Sequence, residues 1–143
     1  MKYRIVSLLF ALPLLAAAQS NIDVIDQRQE AFSQIESLTK KVNKTLNGSA
    51  TDWNLLQTQS ETLHNSSHSL TNLFPAGSKQ GSKAKEDVWQ KPDQFNQLLQ
   101  KMDEGFETLY LASQAQDIKQ AQQGLKTAEQ TCRSCHRSYR SRW

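Results

Sequence analysis

The chain has 143 residues, of which 37% are hydrophobic and 22% charged, with a formal net charge of +3. That length supports one domain with a sizeable core. Basic and aromatic residues do not interleave along it, which leaves no case for a nucleic-acid partner.

Met1-Lys2-Tyr3-Arg4 is a short basic start, followed by an apolar run from Ile5 to Ala18 that ends in Ala16-Ala17-Ala18. This is the layout of a cleavable secretory signal peptide over 1–18, with a mature domain over 19–143 that is free of the membrane and placed in the periplasm. Loss of Lys2 and Arg4 leaves 15 basic against 14 acidic residues. The last seven residues, Arg137 to Trp143, hold three arginines, which suit the negative end of a helix dipole.

Every long segment of the mature chain reads at helical period, and none alternates as a strand. A first helix is predicted from Asn21 to Leu46, with Ile25, Phe32, Ile35, Leu38, Val42 and Leu46 on one stripe and Asn47-Gly48 as its stop. Thr51 or Asp52 caps a second helix that turns Trp53, Leu56, Leu63, Leu70 and Leu73 inward, up to Pro75-Ala76-Gly77. A polar loop, Ser78 to Glu86, follows. Pro92 opens a third helix bearing Phe95, Leu98, Leu99, Met102, Phe106 and Leu109. Asp117 caps a fourth, with Ile118, Ala121, Leu125, Ala128, Cys132 and Cys135 on its inner face. Short connections make neighbours antiparallel, so the expected fold is an all-α, up-down four-helix bundle. The small residues Ala121 and Ala128 on the last helix call for a bulky group to fill that side, which a haem would do.

Cys132-Arg133-Ser134-Cys135-His136 is the Cys-x-x-Cys-His pattern of covalent haem attachment. Positions i, i+3 and i+4 share one helix face. Two thiols can therefore reach the vinyl groups of one porphyrin while the imidazole meets its iron from the same side. A disulfide between two mid-helix cysteines is awkward over so short a loop. A thioredoxin-type motif needs a preceding strand. Zinc needs four ligands, and only His64 and His68 could complete them. Those two histidines otherwise read as exposed on the polar flank of the second helix.

The motif lies seven residues from the C-terminus, so a second iron ligand must come from an earlier helix. Met1 leaves with the leader, and Met102 reads as core. The first helix offers Arg28, Phe32 and Ile35, none a customary iron ligand. The expected iron is five-coordinate with an apolar distal face.

Cys132-x-x-Cys135-His136-x-x-Tyr139-Arg140 resembles the terminal signature of the cytochrome c′ (class II cytochrome c) family. Arg28-Gln29 followed by Phe32 and Ile35 is similar to that family's first-helix signature, and Trp89 to its entry into the third helix. The likeness runs over essentially the whole mature chain. It implies one covalently bound haem c, with Cys132 and Cys135 as thioether anchors and His136 as axial ligand. It further implies Phe32 and Ile35 on the distal side, Arg28, Gln29 and Lys83 at the propionates, and Tyr139 and Arg140 near the proximal face. The chain departs from the pattern at Lys85, where relatives often have proline, and in its loop lysines, which suit propionates electrostatically.

The function so implied is binding of small gases, nitric oxide or carbon monoxide, with nitric oxide buffering or carriage. A periplasmic electron-transfer cytochrome, working with periplasmic donors, is the competing reading. No paired carboxylates, nucleophile–base pair or phosphate loop suggests an enzyme. The resemblance implies a homodimer built on the first two helices, on which Trp53 and Leu55 are neutral.

Overall fold

The computed structural model describes residues 14–142, with side chains from residue 21 onward. The predicted leader therefore lies outside the described residues, except that the first helix already begins at Leu14. Among the described residues no helix is long and apolar enough to cross a membrane.

Five helices follow one another: α1 (Leu14–Leu46), α2 (Trp53–Ser69), the short α3 (Asp87–Gln90), α4 (Pro92–Gln114) and α5 (Ile118–Tyr139). Asp52 caps α2 by accepting from the Leu55 amide at 3.0 Å, and Asp117 caps α5 by accepting from Lys119 and Gln120. Pro92 stands in the first turn of α4, where its missing amide costs nothing. A 3-10 turn, Leu70–Asn72, tightens the end of α2. The predicted elements are thus present, with α1 starting earlier than expected and α3 interposed before Pro92.

The hydrogen bonds that cross between helices set the topology. Ser66 on α2 donates to Gln34 on α1, while Thr45 near the end of α1 donates to Gln59 near the start of α2. Ser60 meets Ser113, and Ser67 meets Asp103, which runs α2 antiparallel to α4. Asn43 of α1 donates to Glu129 of α5. The long helices form an up-down four-helix bundle, in circular order α1, α2, α4, α5. Val42, Leu56, Leu63, Leu70, Phe106 and Leu109 are fully enclosed at its centre.

The tightest seam joins α4 to α5. A Cβ built on Gly105 would lie 2.6 Å from the Ala128 amide nitrogen, and one on Gly124 would lie 2.6 Å from that of Leu109. The backbones meet where neither helix has a side chain. Ala121 and Ala128 are completely buried in this seam. Their small size is therefore explained by close helix approach, which corrects the expectation that a haem fills the space beside them. Further along α5, Cys132 and Cys135 are only half-buried.

By contrast α1 and α5 touch sparingly, and toward the end of α5 Glu36 of α1 lies near His136 and Arg140.

Candidate haem site

Cys132 and Cys135 are half-buried, on the last two turns of α5. Cys132 Sγ points back to the Ala128 carbonyl at 3.6 Å. Burial raises both thiols above the usual value. For Cys132 the Glu129 charge adds to it, and for Cys135, pushed up to about 11, the neighbouring Cys132 does. Both are neutral near pH 7 and make no disulfide.

His136 projects from the same end of α5 and is largely exposed. Partial burial of its ring and then the Arg140 charge push its imidazole down, while Glu36 pulls the other way. The neutral imidazole is the form that ligates a metal. Glu36 stands on α1 one turn beyond Phe32, held by Lys40 at 2.7 Å. Its carboxyl lies below the usual value because of that bond and charge, with smaller contributions from Arg140 and His136. Glu36 was not singled out in the sequence, although the spacing 28, 32, 36 places it along one flank of α1.

The distal candidates come from α1. Ile35 is buried and Phe32 half-buried. The Phe32 ring meets Phe74 edge-on at 6.4 Å, Phe74 meets Phe95 at 4.7 Å, and Phe95 meets Tyr139 at 5.2 Å. This aromatic chain crosses the bundle from α1 to the end of α5 and fixes Phe32 in orientation. Tyr139 is accordingly a buried core residue, whereas Arg140 after it is exposed.

Arg28 is 3% exposed. Its Nη1 donates to the Leu73 carbonyl at 3.2 Å and to Ser78 Oγ at 3.0 Å, and its Nη2 donates to the Ser78 carbonyl at 2.6 Å. The guanidinium lies over Phe74, 4.8 Å from the ring centroid, with Trp89 beyond. Trp89 Nε1 donates to the carbonyls of Phe74 and Pro75. Arg28 is thus a tie between α1 and the loop after α2, a role the sequence did not reveal because Ser78 lies 50 residues away. Two of its five donors are enough to hold Ser78, and Nε carries no bond to the loop. Replacing Arg28 with alanine is expected to cost about 2–3 kcal/mol, because two carbonyls lose a charged donor. Arg28→Lys should recover less than half of that, lacking the fork. Urea unfolding midpoints measure both.

The polar loop is pinned to the motif's end. The Lys85 amide donates to the Tyr139 carbonyl at 2.9 Å, and the Ser141 amide to the Lys83 carbonyl at 2.8 Å, a single antiparallel bridge between Ala84 and Arg140. Lys85 Nζ reaches the Arg137 carbonyl, capping α5. Lys83 and Gln29 are exposed, and the structure joins neither to Arg28.

An antiparallel four-helix bundle with a Cys-x-x-Cys-His segment in the last turns of its final helix defines a c-type cytochrome of the helical kind. A sequence model described as Cytochrome C′ matches residues 23–140, and the chain belongs to that family. The family carries haem c, bound covalently with its iron, and so does this chain. Solved structures of similar fold include cytochrome c′ from Thermochromatium tepidum (TM-score 0.77, 16% identity, covering 85% of this chain and 96% of that one). Cytochrome c prime from Shewanella frigidimarina is similar at TM-score 0.77 and 24% identity, covering 85% and 96%. A nitric oxide complex of a variant of cytochrome c prime from Alcaligenes xylosoxidans is similar at TM-score 0.78 and 22% identity, covering 86% and 97%. Cytochrome c-554 of Cereibacter sphaeroides is 34% identical over 74 residues, 49% of this chain and 48% of that protein. The chain thus spans about half the length of the curated relatives it matches.

Proposed function

We propose that this chain is an exported, periplasmic haem protein that binds small neutral gases, nitric oxide foremost, on an open iron site. The observation that carries the reading is the set of residues the two helices offer: half-buried Cys132 and Cys135 with His136 at the end of α5, and on α1 a half-buried Phe32 ring and a buried Ile35, with no histidine or methionine on that helix.

When bound, the haem supplies an iron centre able to take a small gas on its unligated side. The chain's own residues do the rest. Cys132 and Cys135, one turn apart on α5, would hold the macrocycle as thioethers, and the neutral His136 imidazole would ligate its iron. Phe32, held edge-on by Phe74, would shut water and bulky ligands away from the iron and offers no hydrogen bond. That combination disfavours oxygen, which gains from a donor, relative to nitric oxide, which needs none. Arg28 would place a buried positive charge toward the propionate end, and exposed Arg140 sits one turn beyond His136. Glu36 sets a compensating negative charge near Arg140 and His136. A nitric oxide complex of a similar cytochrome c prime supports the gas assignment.

The test is optical. Ferrous, haem-loaded protein is expected to show a five-coordinate spectrum and to change it on addition of nitric oxide. Phe32→Ala should speed carbon monoxide binding by about tenfold or more, equivalent to about 1.4 kcal/mol of steric barrier. A resting spectrum with six ligands, or no response to either gas, overturns the reading.

A further inference from the structure

The seam between α2 and α4 lies across the bundle from the α1–α5 seam, and it gathers two imidazoles and a carboxylate that the haem does not use. His64 and His68, one turn apart on α2, both face Asp103 of α4. His64 Nδ1 stands 3.2 Å from Asp103 Oδ1, and His68 Nδ1 stands 2.9 Å from Asp103 Oδ2. The expectation of two exposed histidines holds for His68 at 71% side-chain exposure but not for His64 at 26%, while Asp103 is at 17%. His64 Nδ1 is buried and has no hydrogen-bond partner, because its approach to Asp103 is misaligned. A buried, unpartnered nitrogen beside a carboxylate oxygen is costly unless something binds both.

We propose that His64, His68 and Asp103 form a surface site for a borderline divalent ion of the zinc–copper class, bridging α2 to α4. Two imidazoles and one carboxylate are the donors such ions prefer. Ligands at about 2.0–2.2 Å from one ion lie roughly 3–3.5 Å from each other, and the nitrogen–oxygen separations here are already near that spacing. The carboxylate is oriented from behind by Ser67 Oγ, which donates to Asp103 Oδ1 at 2.6 Å, as outer-shell partners orient metal ligands. The His64 ring is held parallel to Tyr110, 6.4 Å between centroids. Glu107, one turn beyond Asp103, lines the same surface depression and can supply a fourth ligand through a carboxylate oxygen. Among the described residues no three such side chains yet surround one point. The site therefore closes on the ion by rotation of the exposed His68 ring, with His64 and Asp103 held in place.

The site rests on nothing in the haem assignment, and in haem-loaded protein Cys132, Cys135 and His136 do not compete for the ion. Calorimetric titration of the mature, haem-loaded chain with zinc chloride is expected to show one ion per chain and a raised thermal midpoint. His64→Gln, His68→Gln and Asp103→Asn should each weaken zinc binding at least tenfold and abolish the thermal shift. Absence of binding, or affinity unchanged in His64→Gln/His68→Gln, overturns the proposal. Unchanged affinity in Asp103→Asn overturns the two-helix site. Should a variant fail to fold, the zinc-edge X-ray absorption of the parent decides: imidazole scattering supports the site, and an all-oxygen shell refutes it.

Discussion

A full-length chain carrying Cys132→Ser and Cys135→Ser together, produced in a host that attaches haem to c-type cytochromes, is expected to show no haem mass added and no Soret band after denaturation. Each single substitution leaves one thioether and should reduce yield while retaining some covalent pigment. Loss is complete only in the double variant, because each tether is a bond rather than a contact. Both thiols lie on one side of α5, one turn apart, and each is held neutral by burial in the seam. His136→Ala separates attachment from ligation, since it keeps both cysteines. Mass spectrometry should find its haem mass retained, while the ferric spectrum shifts for want of an axial imidazole. Unchanged spectra would remove His136 from the iron.

Gly124→Ala is expected to destabilise the folded protein, although alanine is the better helix former by up to about 1 kcal/mol. The added methyl would stand 2.6 Å from the Leu109 amide nitrogen and 2.7 Å from the Gly105 carbonyl oxygen. Both are backbone atoms of α4 that cannot step aside singly, so α4 and α5 must part along a seam that buries Ala121, Leu125 and Ala128. Overpacking of this kind costs about 1–3 kcal/mol net of relaxation. At this chain length each kcal/mol corresponds to roughly 3–5 °C of thermal midpoint. Gly48→Ala is the control: its methyl meets only ordinary contacts, from 3.5 Å outward, and the midpoint should move by less than about 2 °C. Parting α4 from α5 also shifts the face that carries Cys132 and Cys135. A gas-binding rate changed in Gly124→Ala but not in Gly48→Ala would show that the seam positions the site.

The particular residues divide by how far apart in the chain their partners lie. The helical stripes, the Asp52 and Asp117 caps, Pro92 at a first turn and the cysteine–histidine spacing are local, since each depends on residues within one or two turns. All of these were legible in the amino-acid sequence. So was the absence of a methionine on α1, because a missing residue type needs no coordinates. The identity of the fold followed from the same periodicity, and the terminal motif pointed to the family before any helix was placed.

What the sequence by itself determined is therefore the chemistry available: two thiols and an imidazole in register on one helix face, and no histidine or methionine along α1. Tertiary structure decided which of the remaining polar residues meet. Arg28 could be assigned to propionates by likeness, but its bonds to Ser78 and Leu73 depend on how the chain returns after α2. The close approach of Gly105 and Gly124 depends on the crossing of α4 and α5, and it reverses the meaning of the small residues beside it. His64 and His68 looked solvated because their partner, Asp103, sits on another helix 35 residues further along. Periodicity records which face a residue occupies. The rotation and separation of neighbouring helices, set by packing of the whole core, choose the partner it finds there.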